Sequence, residues 1–181
     1  MPNHCNNTLS FMGTEEEVNN FIQFVKKPGA DGEDHYEIFH SVIPMPEELK
    51  GTNKTFKDGE VNQELKDKYG YDNWYDWCLQ HWGTKWGDYE TILEGPFNYS
   101  YDAYEKYAVF KYDTAWAPGS DEIMPAIAEL FPTMVFHLFY EEPGMAFEGY
   151  STVKNGEVVD SREREMIRFP TSVTDPFFDQ E

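Results

Sequence analysis

The sequence predicts an α+β domain with its helices on one face of a sheet, and three observations carry that expectation. Strand and helix patterns alternate as β-α-β near both ends of residues 1–150. The 181 residues include 14 Phe, 12 Tyr and 5 Trp, enough ring surface to bury a core despite a net charge of −20. Breakers such as Pro118-Gly119, Pro143-Gly144 and Asn155-Gly156 punctuate the second half at strand-length intervals.

The elements follow in order. His4 to Met12 reads as a strand, stopped by Gly13-Thr14. Thr14 with Glu17 forms a capping-box pattern, and Glu15 to Glu17 suit the positive end of a helix. Val18, Phe21, Ile22 and Val25 then repeat at helical spacing, and Lys26-Lys27-Pro28-Gly29 ends the run. Ala30 to Asp34 reads as a turn, and Tyr36 to Ile43 as a second strand stopped by Pro44-Met45-Pro46. Residues 46–105 break this grammar and read as an inserted lobe. In it, Lys50 to Gly59 suggests a mobile loop, and Val61, Leu65 and Tyr69 a short helix. Asn73 is placed to cap another helix, on which Trp74, Trp77, Cys78 and His81 share a face before Gly83.

Tyr107 to Trp116 restores the strand pattern, and Ile123, Ile127, Leu130 and Phe131 mark a helix ended by Pro132. Pro125 is tolerated only in a first turn, so that helix starts near Asp121 or Glu122. Met134 to Glu141 and Phe147 to Val153 read as hairpin partners. Asn155-Gly156 then turns the chain into Glu157 to Asp160, and an aromatic tail follows Pro170. Two β-α-β halves in this order predict one ferredoxin-like sandwich over residues 1–181, with a Trp-rich, mainly helical lobe at about 46–105 and extra C-terminal strands.

The charge excess is spread along the whole chain and is heaviest after residue 120. It argues against direct contact with nucleic acid or anionic lipid. The aromatic content argues against an acidic disordered chain. No apolar run is long enough to span a bilayer, and the polar start lacks signal-peptide character. Two cysteines are too few for a disulfide framework, so a reduced, cytoplasmic setting is expected.

Several blocks carry a family resemblance. They are Met1-Pro2-Asn3-His4-Cys5-Asn6-Asn7, Asn73 to Cys78 running into Trp82-Gly83-Thr84-Lys85-Trp86, Asp113 to Pro118, Phe131-Pro132, and Tyr140 to Gly149. On these blocks the sequence resembles the YubB-type ferredoxin-like proteins of phages, plasmids and bacteria. His81, Gly119 and Glu148 depart from the pattern, where Asn, Pro and Cys are expected. The resemblance implies the fold, a mobile-element origin and a bacterial host cytoplasm, and it supplies no catalytic residues.

Four constellations invite function. Trp74, Trp77, Trp82 and Trp86 with Lys85 offer either a stacking platform or the lobe's own packing. His4-Cys5 and Cys78-x-x-His81 have the composition of a zinc site, yet His4 and Cys5 point to opposite faces of a strand, and no metal or cofactor is expected. Asp113 with Glu141-Glu142 suggests paired carboxylates beside an aromatic wall. The sheet lacks the basic, aromatic signature of RNA-recognition modules. The expected role is a protein-interaction module, an acidic accessory protein facing a basic or nucleic-acid-handling partner, such as a host defence factor that it inhibits. The alternative is a ligand binder or enzyme with a cleft between the lobe and the sheet. The residues singled out for binding are Trp74, Trp77, Trp82, Lys85, Trp86, Trp116 and Glu142.

Overall fold

The computed structural model describes residues 3–29, 32–52, 61–99 and 105–166. The first strand, β1 (His4–Thr14), passes directly into α1 (Glu15–Val25). The capping box forms as expected: Glu17 N–H donates to Thr14 Oγ1 at 3.3 Å, and Thr14 N–H donates to Glu17 Oε2 at 2.8 Å. Hydrogen bonds from Thr133 and Thr14 hold the Glu17 carboxyl below the usual carboxylate range. Val18, Phe21, Ile22 and Val25 are all buried, the stripe that the spacing marks.

The chain continues through β2 (Lys26–Pro28), β3 (Asp34–Tyr36) and α2 (Ile38–Val42), then α3 (Gln63–Tyr69) and α4 (Trp74–His81). It then runs through β4 (Tyr89–Asn98), β5 (Glu105–Ala115), α5 (Ile123–Leu130), β6 (Val135–Glu142), β7 (Phe147–Lys154) and β8 (Glu157–Glu165). Six strands form one antiparallel sheet in the order β4-β5-β1-β6-β7-β8. Its first four strands, with α1 and α5, are the β-α-β-β-α-β core of a ferredoxin-like sandwich. β7 and β8 extend the sheet beyond β6. Among the described residues no helix is long and apolar enough to cross a membrane.

Two expectations at the lobe need correction. Tyr36 to Ile43 is not a strand: only Asp34–Tyr36 is extended, and Ile38–Val42 is helical. The cause lies 50 residues away, where Asp88 accepts the Ile38 N–H at 2.9 Å and the Phe39 N–H at 2.8 Å. The second core strand is instead Tyr89–Asn98, inside the interval read as the insertion. Gly95-Pro96 hides it in the sequence, because proline usually excludes a strand. β4 is an edge strand, and its register shifts between Glu94 and Phe97 accommodate the proline. The loop expected at Lys50 to Gly59 and the tail after Pro170 lie largely or wholly outside the described residues.

The core lies between the sheet and its helices. Phe11, on the central strand, stacks on Phe110 at 5.3 Å and Phe136 at 6.2 Å, with Phe21 of α1 edge-on at 4.8 Å. All four rings are fully buried. Phe11→Ala should therefore cost about 3–5 kcal/mol in urea unfolding. Phe139→Ala, on the face without helices, should cost under about 1 kcal/mol.

Candidate functional site

Strand alternation sends Cys5, Asn7, Leu9 and Phe11 toward the helices and His4, Asn6, Thr8, Ser10 and Met12 to the opposite face. Directly paired residues share a face, so the register lines up, row by row, the side that no helix among the described residues covers. At one end stand Phe97, Tyr107, Met12 and Val135. Next come Glu94, Val109, Ser10, His137, Thr152 and Asp160, then Ile92, Lys111, Thr8, Phe139, Tyr150 and Arg162. The last row is Tyr89, Asp113, Asn6, Glu141, Glu148 and Arg164.

This face is apolar at one end and acidic at the other. Ile92, Phe97, Tyr99, Tyr107 and Phe139 are all large side chains left exposed. Tyr107 packs against Phe97 at 5.3 Å and Tyr99 at 6.3 Å beside a hollow of about 390 Å³, closed across the sheet by Met12, Val135 and His137. At the acidic end Asn6 donates to Asp113 at 2.8 Å, His4 Nδ1 lies 3.6 Å from the same carboxylate, and Tyr89 O–H meets His4 Nδ1 at 2.7 Å. Burial, then the Asp113 charge, pushes the Tyr89 hydroxyl up. Arg164 pairs with Glu148 at 2.5 Å, leaving three carboxylates in that row against one arginine.

The residues picked from the sequence are mostly elsewhere. Trp77 and Trp82 are buried in the core, their rings 5.3 Å apart, and Trp82 Nε1–H donates to the Ile43 carbonyl at 2.9 Å. Trp74 is half-buried against the same cluster, and its backbone N–H donates to Thr52 Oγ1 at 2.9 Å. These three serve the packing alternative, pinning the lobe to the sandwich. Ser120 completes the attachment: its N–H donates to the Trp82 carbonyl at 2.8 Å and its hydroxyl to the His81 carbonyl. Gly83, in the left-handed region at φ +70°, permits this approach, since a Cβ there would meet Ser120 N at 2.7 Å.

Trp86 and Lys85 stay half-buried, the ammonium 4.6 Å from the ring, and Trp86 meets Tyr89 edge-on at 6.2 Å. Trp116 is half-buried with φ +54°, and its N–H donates to the Asn3 carbonyl at 2.8 Å. Glu142 is fully buried on the helix side, accepting the Gly144 N–H at 3.2 Å and the Met145 N–H. It therefore closes the β6–β7 turn and faces away from Asp113; of the Glu141-Glu142 pair, Glu141 alone shares Asp113's face.

His4 and Cys5 diverge as strand geometry requires. Among the described residues no three His, Cys, Asp or Glu side chains are grouped to hold a metal ion. Burial pushes both the Cys5 and Cys78 thiols up to about 12. The sequence reading missed the aromatic end of the open face. Its signal was present: Tyr107-Ala108-Val109-Phe110 and Val135-Phe136 are apolar at both parities, which a one-sided sheet does not require.

Comparison with known proteins places the fold. Residues 96–168 match the family model for a ferredoxin-like domain in Api92-like protein. The crystal structure of protein api92 from Yersinia pseudotuberculosis superposes with a TM-score of 0.54 at 12% identity, over 93% of this chain and 100% of that one. At that identity the likeness is one of fold. No curated protein matches the sequence.

Two measurements check this account of the site. A thiol pushed to about 12 carries a thiolate fraction of only ~10⁻⁴ at pH 8. Iodoacetamide should thus label native Cys5 and Cys78 at least about 100-fold more slowly than the urea-unfolded chain, with the native rate rising as pH rises. Asp88→Ala should cost about 2–3 kcal/mol, because two helix N–H groups and the Thr91 hydroxyl lose their acceptor. Asp88→Asn, which keeps one oxygen, should lose about half as much by the same urea titration.

Proposed function

We propose that this chain is a protein-interaction module whose sheet face opposite the helices docks on a basic surface of another protein. The observation that carries the reading is the make-up of that face. The exposed Tyr99 and Tyr107 rings line a hollow at one end, and Asp113, Glu141 and Glu148 stand in a row at the other. Large exposed apolar patches rimmed by polar groups mark association surfaces. Here the hollow suits an apolar anchor from the partner, and the carboxylate row suits its lysines and arginines.

A net charge of −20 disfavours nucleic acid itself as the ligand and favours a protein that handles nucleic acid. Carboxylates spaced along a sheet can occupy the positions where such a protein expects phosphates. The resemblance to YubB-type proteins supports a phage or mobile-element accessory role in a bacterial cytoplasm, with a host nucleic-acid-binding or defence factor as the protein inhibited. The ligand-cleft alternative keeps Lys85, Trp86 and Trp116 as its support, since Trp77 and Trp82 are committed to packing.

The test is capture from bacterial lysate on the immobilised chain, followed by pairwise affinity measurement with the captured protein. A basic, nucleic-acid-handling partner should bind, and binding should weaken at least about tenfold between 50 and 300 mM salt. Asp113→Lys with Glu141→Lys should abolish capture, whereas Glu15→Lys with Glu16→Lys on α1 should leave it intact. Equal capture by both double variants, or an interaction insensitive to salt, overturns the reading.

A further inference from the structure

Alternate residues of a strand share a face, so β5 presents Glu105, Tyr107, Val109, Lys111 and Asp113 together on the side away from the helices. The first two stand at the aromatic end. Tyr107 and Tyr99 line the hollow there with ring planes 82° apart and centroids 6.3 Å apart, two walls near a right angle. Phe97 braces Tyr107 at 5.3 Å. Met12 and Val135 supply further apolar lining, and the hollow measures about 390 Å³.

Carboxylates flank this end on both sides. Glu105 lies one row beyond Tyr107, opposite Thr14; it is exposed and makes no ion pair among the described residues. Glu94 lies one row the other way, where it pairs with Lys111 at 2.7 Å. No lysine or arginine among the described residues lines the hollow itself. An apolar cavity walled by tyrosine faces, within a negative field, is therefore left without a cation of its own.

A neutral apolar group would fill the space but leave Glu105 and the negative ring faces unanswered. An ammonium would answer the charge, but it is strongly hydrated, and an apolar lining offers little in place of its water. A guanidinium is planar and weakly hydrated, stacks on aromatic faces, and rides on a methylene stem that packs against apolar side chains. On the docking role proposed above for this face, we infer that the hollow receives an arginine side chain of the partner protein. The guanidinium stacks on the tyrosines with its charge toward Glu105, and the stem lies against Met12 and Val135, supplying the apolar part of the anchor. Charge recognition then extends to the end of the face farthest from the carboxylate row.

NMR titration of the full chain with capped Gly-Arg-Gly, and with the same peptide carrying citrulline, lysine or norleucine, reads the occupant directly. The arginine peptide should bind at least about fivefold more tightly than each of the others, shifting the ring protons of Tyr99 and Tyr107. Tyr107→Leu should weaken it at least about fivefold, and Tyr107→Phe, which keeps the ring, should leave it unchanged. Glu105→Gln should weaken the arginine peptide but not the norleucine one. Citrulline or norleucine binding as tightly as arginine makes the anchor a neutral one, and lysine doing so makes the hollow a site for any cation; each result overturns the inference. So does a folded Tyr107→Leu chain that binds arginine unchanged, or a wild-type chain that binds no arginine peptide. Capture of a basic partner through Asp113 and Glu141 is measured separately. It stands if the arginine peptide fails, and the peptide result stands if nothing is captured.

Discussion

Everything in this molecule is organised by the helix-facing side of β1. Phe11 there meets Phe110 and Phe136 from the flanking strands and Phe21 from α1, so one ring holds the contact between sheet and helices. Because β1 is central and hydrogen-bonded on both sides, its alternation determines which face of all its neighbours turns inward. The helices can bury only one side of such a sheet. The open side, with its aromatic hollow and carboxylate row, is a geometric consequence of where the phenylalanines sit.

The parts of the fold legible in the sequence are those governed by local chemistry. The capping box at Thr14, the stripe from Val18 to Val25, the Asn73 cap and the Asn155-Gly156 hairpin all form where residue type and spacing place them. The misread parts depend on distant partners. Tyr36 to Ile43 has strand-like composition, but a carboxylate 50 residues downstream caps it as a helix. Tyr89 to Asn98 contains a proline that argues against a strand, and only its place at the sheet edge makes it acceptable.

The site divides along the same line. The tryptophan block is conspicuous as composition, yet Trp77 and Trp82 are drawn inward because a lobe with few aliphatic residues needs rings to attach it. Glu142 next to Glu141 looks like a doubled acid, but the two-residue period of a strand puts them on opposite faces. The open-face rows were not legible, since they exist only once the register of six strands is known. The spread of acidic residues along the chain was legible, and the sheet brings three of them, Asp113, Glu141 and Glu148, into one row.

The central place of β1 also bears on how the chain is made. β1 occupies residues 4–14, while its two hydrogen-bonded neighbours occupy 105–115 and 135–142. During synthesis it leaves the ribosome before either neighbour and waits for both before its polar backbone and apolar face are covered. Such long-range pairing slows folding and prolongs exposure of a strand rich in pairing groups. The dense negative charge then has a second use, keeping nascent copies apart during that wait.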